Sequence, residues 1–536
     1  MIENASGGRL SIKQAVFIVA GLLLITAAVR IPLLGVPFER DEGEYAYIAW
    51  RLGHHELPYR DWIDQKPPAI FWVYRAALAF PMDPIRAVHF AALVFSAASA
   101  CALFFLASRF LDRFWAFIAA AVFIFLSADP WIEGTAANTE IFMLLPLILA
   151  QCAFFQAIEN RNRNAPAIVL CGVMIGSAIA FKQVAAVNWF LLIALFPIFA
   201  NGAKRWAATV RFALISALGM ALMLGLTCFY FWIRGGLSQL VENVLTHNLE
   251  YIGAMTWSDR FHFCTDTLMR LTPSELLVWA FSLLGLLSLV ATKEFKSLTF
   301  TLGWLIASAI GISASGYFFP HYFQQWLPPL VLLSIFGAAC LSRLTLWKGS
   351  WIPRVALVVL LAALPLKTFW PFWFSYSPAE SVRKIYPGNF FAEMPALAER
   401  IAKVTSPEQR VFAFGAEPEL LFYAQRVSAT RYIFLFPLYG PYRNIREKQV
   451  AVMEEIQRNS PAAAVYVPNE LFFAAGTDQY FTEWSLSYFE ENFAVDTWLI
   501  KETETSAAIV QAQPGLPPPH QLLGAIFIKK GPGRTD

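Results

Sequence analysis

The strongest constraint on this chain is a succession of long apolar stretches, beginning near Ala15, Ile85, Phe114, Ile141, Ala165, Ala186, Phe212, Leu276, Leu298, Leu327 and Val355. A helix needs roughly 20 apolar residues to cross the hydrocarbon core of a bilayer, and inside it every backbone group must be satisfied internally. The expected fold is therefore an α-helical polytopic membrane protein with about eleven transmembrane helices. Composition agrees, since 57% of the 536 residues are hydrophobic and only 15% are charged, against about a quarter in soluble domains. A net charge of +3, spread over small basic clusters, excludes the broad positive patch of a nucleic-acid binder. Cys101, Cys152, Cys171, Cys228 and Cys340 lie in apolar runs as small hydrophobes, Cys264 alone sits in a polar stretch, and no disulfide framework or CxxC site is legible. The run Ala15 to Gly35 follows a short basic leader without a convincing Ala-x-Ala cleavage pattern, so it reads as a retained helix.

Basic residues favour the cytoplasmic side of short loops. With Arg9 and Lys13 cytoplasmic, the connectors carrying Arg109 and Arg113, Arg161 and Arg163, Lys204, Arg205 and Arg211, Lys293 and Lys296, and Arg343, Lys348 and Arg354 fall on that side. The opposite turns, Asp129 to Glu140 and Gly316 to Trp326, contain no Lys or Arg. Two crossings must fit between Ala165 and Ala200, with a turn near Lys182. An odd total then places loops 36–84 and 234–274, and everything after Pro371, outside. Residues 1–377 form the membrane domain. From 378 to 536 the pattern becomes that of a small α/β domain, with β-like runs at Val411 to Phe414, Tyr432 to Phe436, Ala463 to Val467 and Ile526 to Ile528, helical stretches at Glu393 to Val404 and Asn444 to Arg458, and a Pro-rich loop at Gly515 to His520.

The spans hold few ionisable residues, which argues against an ion-coupled transporter. The charges gather at the outer edge instead. The first outside loop reads Glu39-Arg40-Asp41-Glu42-Gly43-Glu44-Tyr45 and then Asp61-Trp62-Ile63-Asp64-Gln65-Lys66-Pro67-Pro68. Asp41 precedes an amphipathic helix, Glu42 to Leu52, so it reads either as an N-cap paired with Glu44 or as a general base whose proton affinity is raised by Glu42 and Glu44. Lys66 stands before Pro67 and Pro68, which start a helix reaching Phe80; it is either a snorkelling lysine or the cation of a phosphate site at that helix N-terminus. Glu133, Asn138 and Glu140 lie in the second turn, where Glu140 opens a helix and suits its dipole. Lys182 snorkels or binds ligand, the aromatics around Tyr322 form an interfacial belt, and His321 offers a hydrogen-bond donor or a metal ligand at headgroup depth.

Taken together, Asp41-Glu42-x-x-Tyr45, Lys66-Pro67-Pro68, the acidic turn Glu133 to Glu140, Pro320-His321-Tyr322-Phe323-Gln324-Gln325-Trp326-Leu327-Pro328-Pro329 and Val411-Phe412-Ala413-Phe414-Gly415-Ala416-Glu417-Pro418-Glu419 resemble the GT-C glycosyltransferases that use polyprenyl-phosphate sugars, a class with the protein O-mannosyltransferases and the aminoarabinose transferase of lipid A. The resemblance implies an enzyme of the bacterial inner (plasma) membrane, with a cytoplasmic N-terminus and a periplasmic C-terminal domain. It would transfer a sugar with inversion from a polyprenyl-phosphate donor to a hydroxyl of an envelope glycan, lipid or protein. It also implies Asp41, Glu42 and Glu140 as catalytic, Lys66, Lys182 and His321 around the donor phosphate, and Tyr45, Glu133, Asn138 and Tyr322 as substrate contacts. Glu417 and Glu419, after a strand end in the tail, read either as acceptor contacts or as solvated loop carboxylates. No cofactor is legible beyond a divalent metal, which some relatives hold with a Glu directly before Lys-Pro-Pro; here that position is Gln65. A transporter or flippase, or an O-antigen polymerase or ligase, is the alternative reading. The first would show repeat symmetry, and the second a large late outside loop.

Overall fold

A computed structural model describes residues 10–159, 164–200, 202–252, 255–344, 351–440, 442–473, 477–513 and 520–531. Arg9, Arg161, Arg163, Lys348 and nearly all of the Pro-rich stretch at 515–520 lie outside the described residues. The apolar runs all fall on helices: α1 (Ile12–Arg30), α4 (Pro84–Ala107), α5 (Arg113–Ser127), α6 (Thr139–Glu159), α7 (Ala165–Ile179), α8 (Ala186–Phe199), α9 (Arg205–Ile233), α12 (Trp257–Ala291), α13 (Phe295–Ser313), α14 (Leu327–Leu344) and α15 (Ile352–Phe374). Between them lie α2 (Arg40–Leu52), α3 (Ala69–Ala77), α10 (Leu237–Val241) and α11 (His247–Ile252). Among the described residues eight helices are long and apolar enough to cross a membrane, and α5, α7 and the helix around α8 are shorter apolar helices. The protein is a multi-pass membrane protein.

Van der Waals contact holds such helices together, because lipid is as apolar as leucine and supplies no drive for association. Helices α12 and α14 meet where side chains are smallest: a Cβ on Gly285 would collide with the Leu333 backbone and one on Gly337 with the Phe281 carbonyl. There the Ser282 hydroxyl donates to the Leu330 carbonyl at 2.9 Å. Arg30, buried at the end of α1, donates to the carbonyls of Ser127 (2.7 Å) and Gly134 (2.9 Å), satisfying the end of α5 and fixing the turn between α5 and α6.

Two boundaries differ from expectation. The stretch 234–274 is not all loop, because α12 begins at Trp257, where Thr256 and Asp259 form a capping box that satisfies its first N–H groups and lets the helix run on past the apolar region. The helix after Lys66-Pro67-Pro68 spans only Ala69–Ala77, with Pro68 as its N-cap.

The C-terminal part contains α16 (Pro378–Ile385), α17 (Met394–Val404), β1 (Arg410–Phe414), α18 (Pro418–Ala424), β2 (Val427–Ser428), α19 (Ile445–Asn459), β3 (Ala463–Tyr466), α20 (Tyr480–Asn492), β4 (Phe493–Lys501), β5 (Ala507–Gln511) and β6 (Leu522–Lys529). One sheet runs β2-β1-β3-β6-β4-β5, with β1 parallel to β2 and β3, and β6 antiparallel to β3 and β4. The strand expected at Tyr432 to Phe436 is absent. Pro437 interrupts it, the preceding Arg431 carbonyl accepts from Ile63 N–H of the first loop at 3.0 Å, and Phe436 packs on Phe472 instead.

This domain sits directly on α2. The Tyr423 hydroxyl accepts Phe38 N–H at 2.8 Å and its ring stacks on that of Phe38, Ser428 N–H reaches the Tyr47 hydroxyl at 2.9 Å, and Arg40 pairs with Glu417 at 2.9 Å. Gly43 is where the two parts approach most closely, since a Cβ there would overlap the Glu419 backbone. Gly43→Ala should therefore cost about 1–3 kcal/mol, seen as a lower Tm and faster proteolytic release of the C-terminal domain; an unchanged Tm would show that the contact is dispensable.

Candidate active site

The first turn of α2 is capped by Glu39, whose carboxylate accepts from Asp41 N–H (3.0 Å) and Glu42 N–H (3.1 Å) while Glu42 reaches back to Glu39 N–H (3.3 Å). Asp41 is thus not the cap, and the expected partnership with Glu44 does not form. Its carboxylate faces the Lys66 ammonium at 3.1 Å and receives the Tyr45 hydroxyl at 3.3 Å. Glu42, one residue on, points into the bundle. It is 2% exposed, lies 2.8 Å from His89 Nε2 and accepts Ala137 N–H at 2.7 Å, so it ties α2 to the turn between α5 and α6. Glu42→Ala would strand three groups at once; breaking such a buried pair costs about 3–5 kcal/mol, and we expect a lower Tm and a matching loss of folded protein in detergent.

Lys66 is held by its own main chain. Its N–H donates to Asp64 Oδ1 at 2.7 Å, its carbonyl accepts the Tyr59 hydroxyl at 2.6 Å, and the preceding Gln65 carbonyl accepts the Asn248 amide at 2.8 Å. The N-terminus of α3 is not free for an anion, because Ala69 N–H donates to the Ala180 carbonyl at 3.0 Å. The cation available at this place is the Lys66 side chain.

The other expected residues converge on the same end of the bundle. His321 Nδ1 lies 2.8 Å from Glu133, which Arg270 approaches at 3.6 Å. Lys182 pairs with Glu140, and its ammonium sits 3.4 Å over the Tyr322 ring. Asn138 is 1% exposed and neither atom of its amide has a partner, as is also true of the buried Gln324. Two cation–carboxylate pairs, Asp41–Lys66 and Glu140–Lys182, and the Glu133–His321 contact therefore stand within electrostatic reach of one another.

Burial alone would raise the Asp41 carboxyl, but the Lys66 ammonium, helped by His321, outweighs it and holds the group at about 2. Burial would likewise lower the Lys66 ammonium, and Asp41, together with Tyr45, Asp64 and Glu44, more than reverses this. Both are charged at neutral pH. The arrangement is an ion pair that an incoming anion can exchange for a new one, releasing an ionised carboxylate beside it. Among the described residues no group of three His, Cys, Asp or Glu side chains is placed to share a metal ion.

Several contributors had no clear signal in the sequence. Arg270 lies on the part of α12 read as loop. Glu44 and Asp64 are both buried, Asp64 within the Tyr59 to Lys66 hairpin. Glu417 and Glu419, offered by the sequence as contacts from the tail, meet Arg40 and Gly43 of α2.

Residues 65–232 match the family model described as dolichyl-phosphate-mannose-protein mannosyltransferase. No curated protein matches the sequence as a whole. Among solved structures, ArnT from Cupriavidus metallidurans bound to undecaprenyl phosphate superposes with a TM-score of 0.60 at 15% identity, covering 95% of this chain and 100% of that one. The oligosaccharyltransferase AglB from Archaeoglobus fulgidus, in complex with an inhibitory peptide and a dolichol-phosphate, gives 0.52 at 12% identity over 94% of this chain and 75% of that one. The arabinofuranosyltransferase AftD from Mycobacteria gives 0.55 at 14% identity over 98% of this chain and 40% of that one.

Proposed function

We propose that this chain, a membrane glycosyltransferase of the GT-C fold, moves a sugar with inversion from a polyprenyl-phosphate donor to a hydroxyl of an envelope acceptor, on the periplasmic side of a bacterial inner membrane. The observation that carries the reading is the 3.1 Å pair between the Asp41 carboxylate and the Lys66 ammonium, set beside the Glu140–Lys182 pair and the Glu133–His321 contact at one end of the bundle. A general base and an anion-binding cation are the two groups that displacement of a phosphate from a sugar requires.

The donor is an anionic phosphodiester, and its phosphate draws the Lys66 ammonium away from Asp41. Lys182 supplies further positive charge. The released Asp41 carboxylate takes the proton of the acceptor hydroxyl, whose oxygen forms a bond to the anomeric carbon. The bond between that carbon and the phosphate oxygen breaks, and polyprenyl phosphate leaves with the electron pair. Its growing charge is met by the Lys66 ammonium, which has left Asp41 for the phosphate. Tyr45 holds Asp41 in place, Tyr322 and Asn138 line the sugar, Glu140 and Glu133 orient Lys182 and His321, and Glu42 braces the two loops.

The test is transfer of labelled sugar from a synthetic polyprenyl-phosphate donor to an envelope fraction by the purified protein in vesicles. Label in the acceptor supports the reading, and its absence with every polyprenyl-phosphate sugar tried would remove it. Lys182→Gln should raise the donor KM roughly tenfold, about 1.4 kcal/mol of binding, with a smaller effect on kcat; an unchanged KM would take Lys182 out of the phosphate site.

A further inference from the structure

The two lysines of the donor site stand on separate chain segments, and each segment is anchored through the residue next to its lysine. Gln65 precedes Lys66, and Gln183 follows Lys182. Both anchors lie on the stretch between α9 and α12, where Glu242–Thr246 is wound as a π turn joining α10 to α11. Such turns recur at functional sites. This stretch carries Leu245 and Leu249 outward, 53% and 72% exposed, and turns the polar Asn248 inward.

The Asn248 amide donates to the Gln65 carbonyl at 2.8 Å and to the Val244 carbonyl at 3.0 Å, with a further contact to the Asn243 carbonyl at 3.3 Å. The Gln183 amide donates to the same two carbonyls, to Val244 at 2.9 Å and to Gln65 in a longer contact of 3.5 Å. An amide nitrogen has two hydrogens and a carbonyl oxygen two lone pairs, so two amides and two carbonyls close a ring. On the other side of the lysines, the Ala69 N–H bond to the Ala180 carbonyl at 3.0 Å joins the same two segments. Lys66 lies between Gln65 and Ala69 in the chain, and Lys182 between Ala180 and Gln183. The two lysines therefore stand in a frame tied at both ends.

A phosphate shared by two lysines needs such a frame. Ammonium groups repel each other, and each here has a carboxylate of its own, Lys66 with Asp41 and Lys182 with Glu140. Two such side chains meet on one phosphate only if their backbones are held at the right separation, and a misplacement of about 1 Å is costly. The Ala69–Ala180 tie is a backbone bond; the ring at the other end is made by two side chains and can be removed by substitution.

We propose that the ring formed by the Asn248 and Gln183 amides on the Gln65 and Val244 carbonyls sets the separation of Lys66 and Lys182, making Asn248 and Gln183 positioning residues of the donor-phosphate site. The proposal rests on reading both lysines as phosphate ligands. Neither amide acts on substrate or reacting atoms; each acts through a lysine.

The test measures Kd for undecaprenyl phosphate, and for undecaprenol as the same chain without the phosphate, on the full-length protein in vesicles. The variants are Asn248→Ala, Lys182→Gln and the two combined. Asn248→Ala is expected to weaken undecaprenyl phosphate about three- to tenfold, bounded by the loss of Lys182 itself, and to leave undecaprenol unchanged. In the Lys182→Gln background the same substitution should cost less than about twofold, because a single lysine has no separation to set. If Asn248→Ala does not fold, Gln183→Ala enters the same cycle with the same expectations. An unchanged Kd, an equal loss in both backgrounds, or an equal loss for both ligands would overturn the proposal, since the amide would then serve the fold or the lipid chain and not the spacing. Equal binding of the two ligands by wild type would instead overturn the reading of the lysines as phosphate ligands beneath it.

Discussion

Replacing Asp41 by Asn is expected to lower kcat for sugar transfer by roughly 10²–10⁴-fold, the usual worth of a positioned general base. Donor KM should hold or fall, because removing the carboxylate frees Lys66 for phosphate at no cost in separating an ion pair. This split distinguishes a base from a structural residue, whose loss would lower the amount of folded protein and leave the kinetics of the remainder unchanged. The pH profile adds a second check. In the resting site Lys66 holds the Asp41 carboxyl at about 2, so Asp41 stays ionised down to that range. The kcat/KM profile, which reports the free enzyme, should show no acid limb from Asp41 between pH 5 and 7. Equal kcat for Asp41→Asn and wild type would refute its role.

Lys66→Gln should be nearly as damaging by the opposite route. Removing one partner of a buried hydrogen-bonded charge pair costs about 2–5 kcal/mol, and here the loss falls on both resting Asp41 and the bound donor phosphate. We expect kcat/KM to fall by some 30-fold to several thousandfold, with donor KM rising. An acid limb should appear as well, since Asp41 without Lys66 is left with the burial that raises its carboxyl. Lys66→Arg is not expected to restore activity, because the hairpin pins the Lys66 backbone through Tyr59 and Asp64 and the longer planar guanidinium cannot take the place of a compact ammonium. The two substitutions combined should be far from additive, as befits residues in direct contact. Simple additivity would mean that they act independently.

Much of this arrangement was legible in the chain itself. Apolar runs long enough to cross a bilayer leave little choice but helices, and a loop dense in Asp, Glu and Lys between two of them must put those charges at the edge. Asp41, Lys66, Glu140, Lys182 and His321 could be nominated for that reason. The identity of the cap could not. Glu39, Asp41 and Glu42 all stand at the start of α2, and which of them folds back depends on Lys66, 25 residues away in the chain, taking the Asp41 carboxylate. Arg270 was obscured because polar residues and Pro273 suggested loop, whereas the Thr256 cap lets the helix form. In the C-terminal domain, β4 and β5 lacked a clean alternation of buried and exposed residues, and the aromatic run near Tyr432 looked like a strand although its backbone partner lies in the first loop.

The most direct test of the central claim is a structure of the protein with undecaprenyl phosphate bound. The account predicts the phosphate against Lys66, near Lys182 and His321, with the Lys66 ammonium moved off Asp41 and the Asp41 carboxylate open to the cavity beside it. A phosphate bound elsewhere while the Asp41–Lys66 pair stays closed would contradict it.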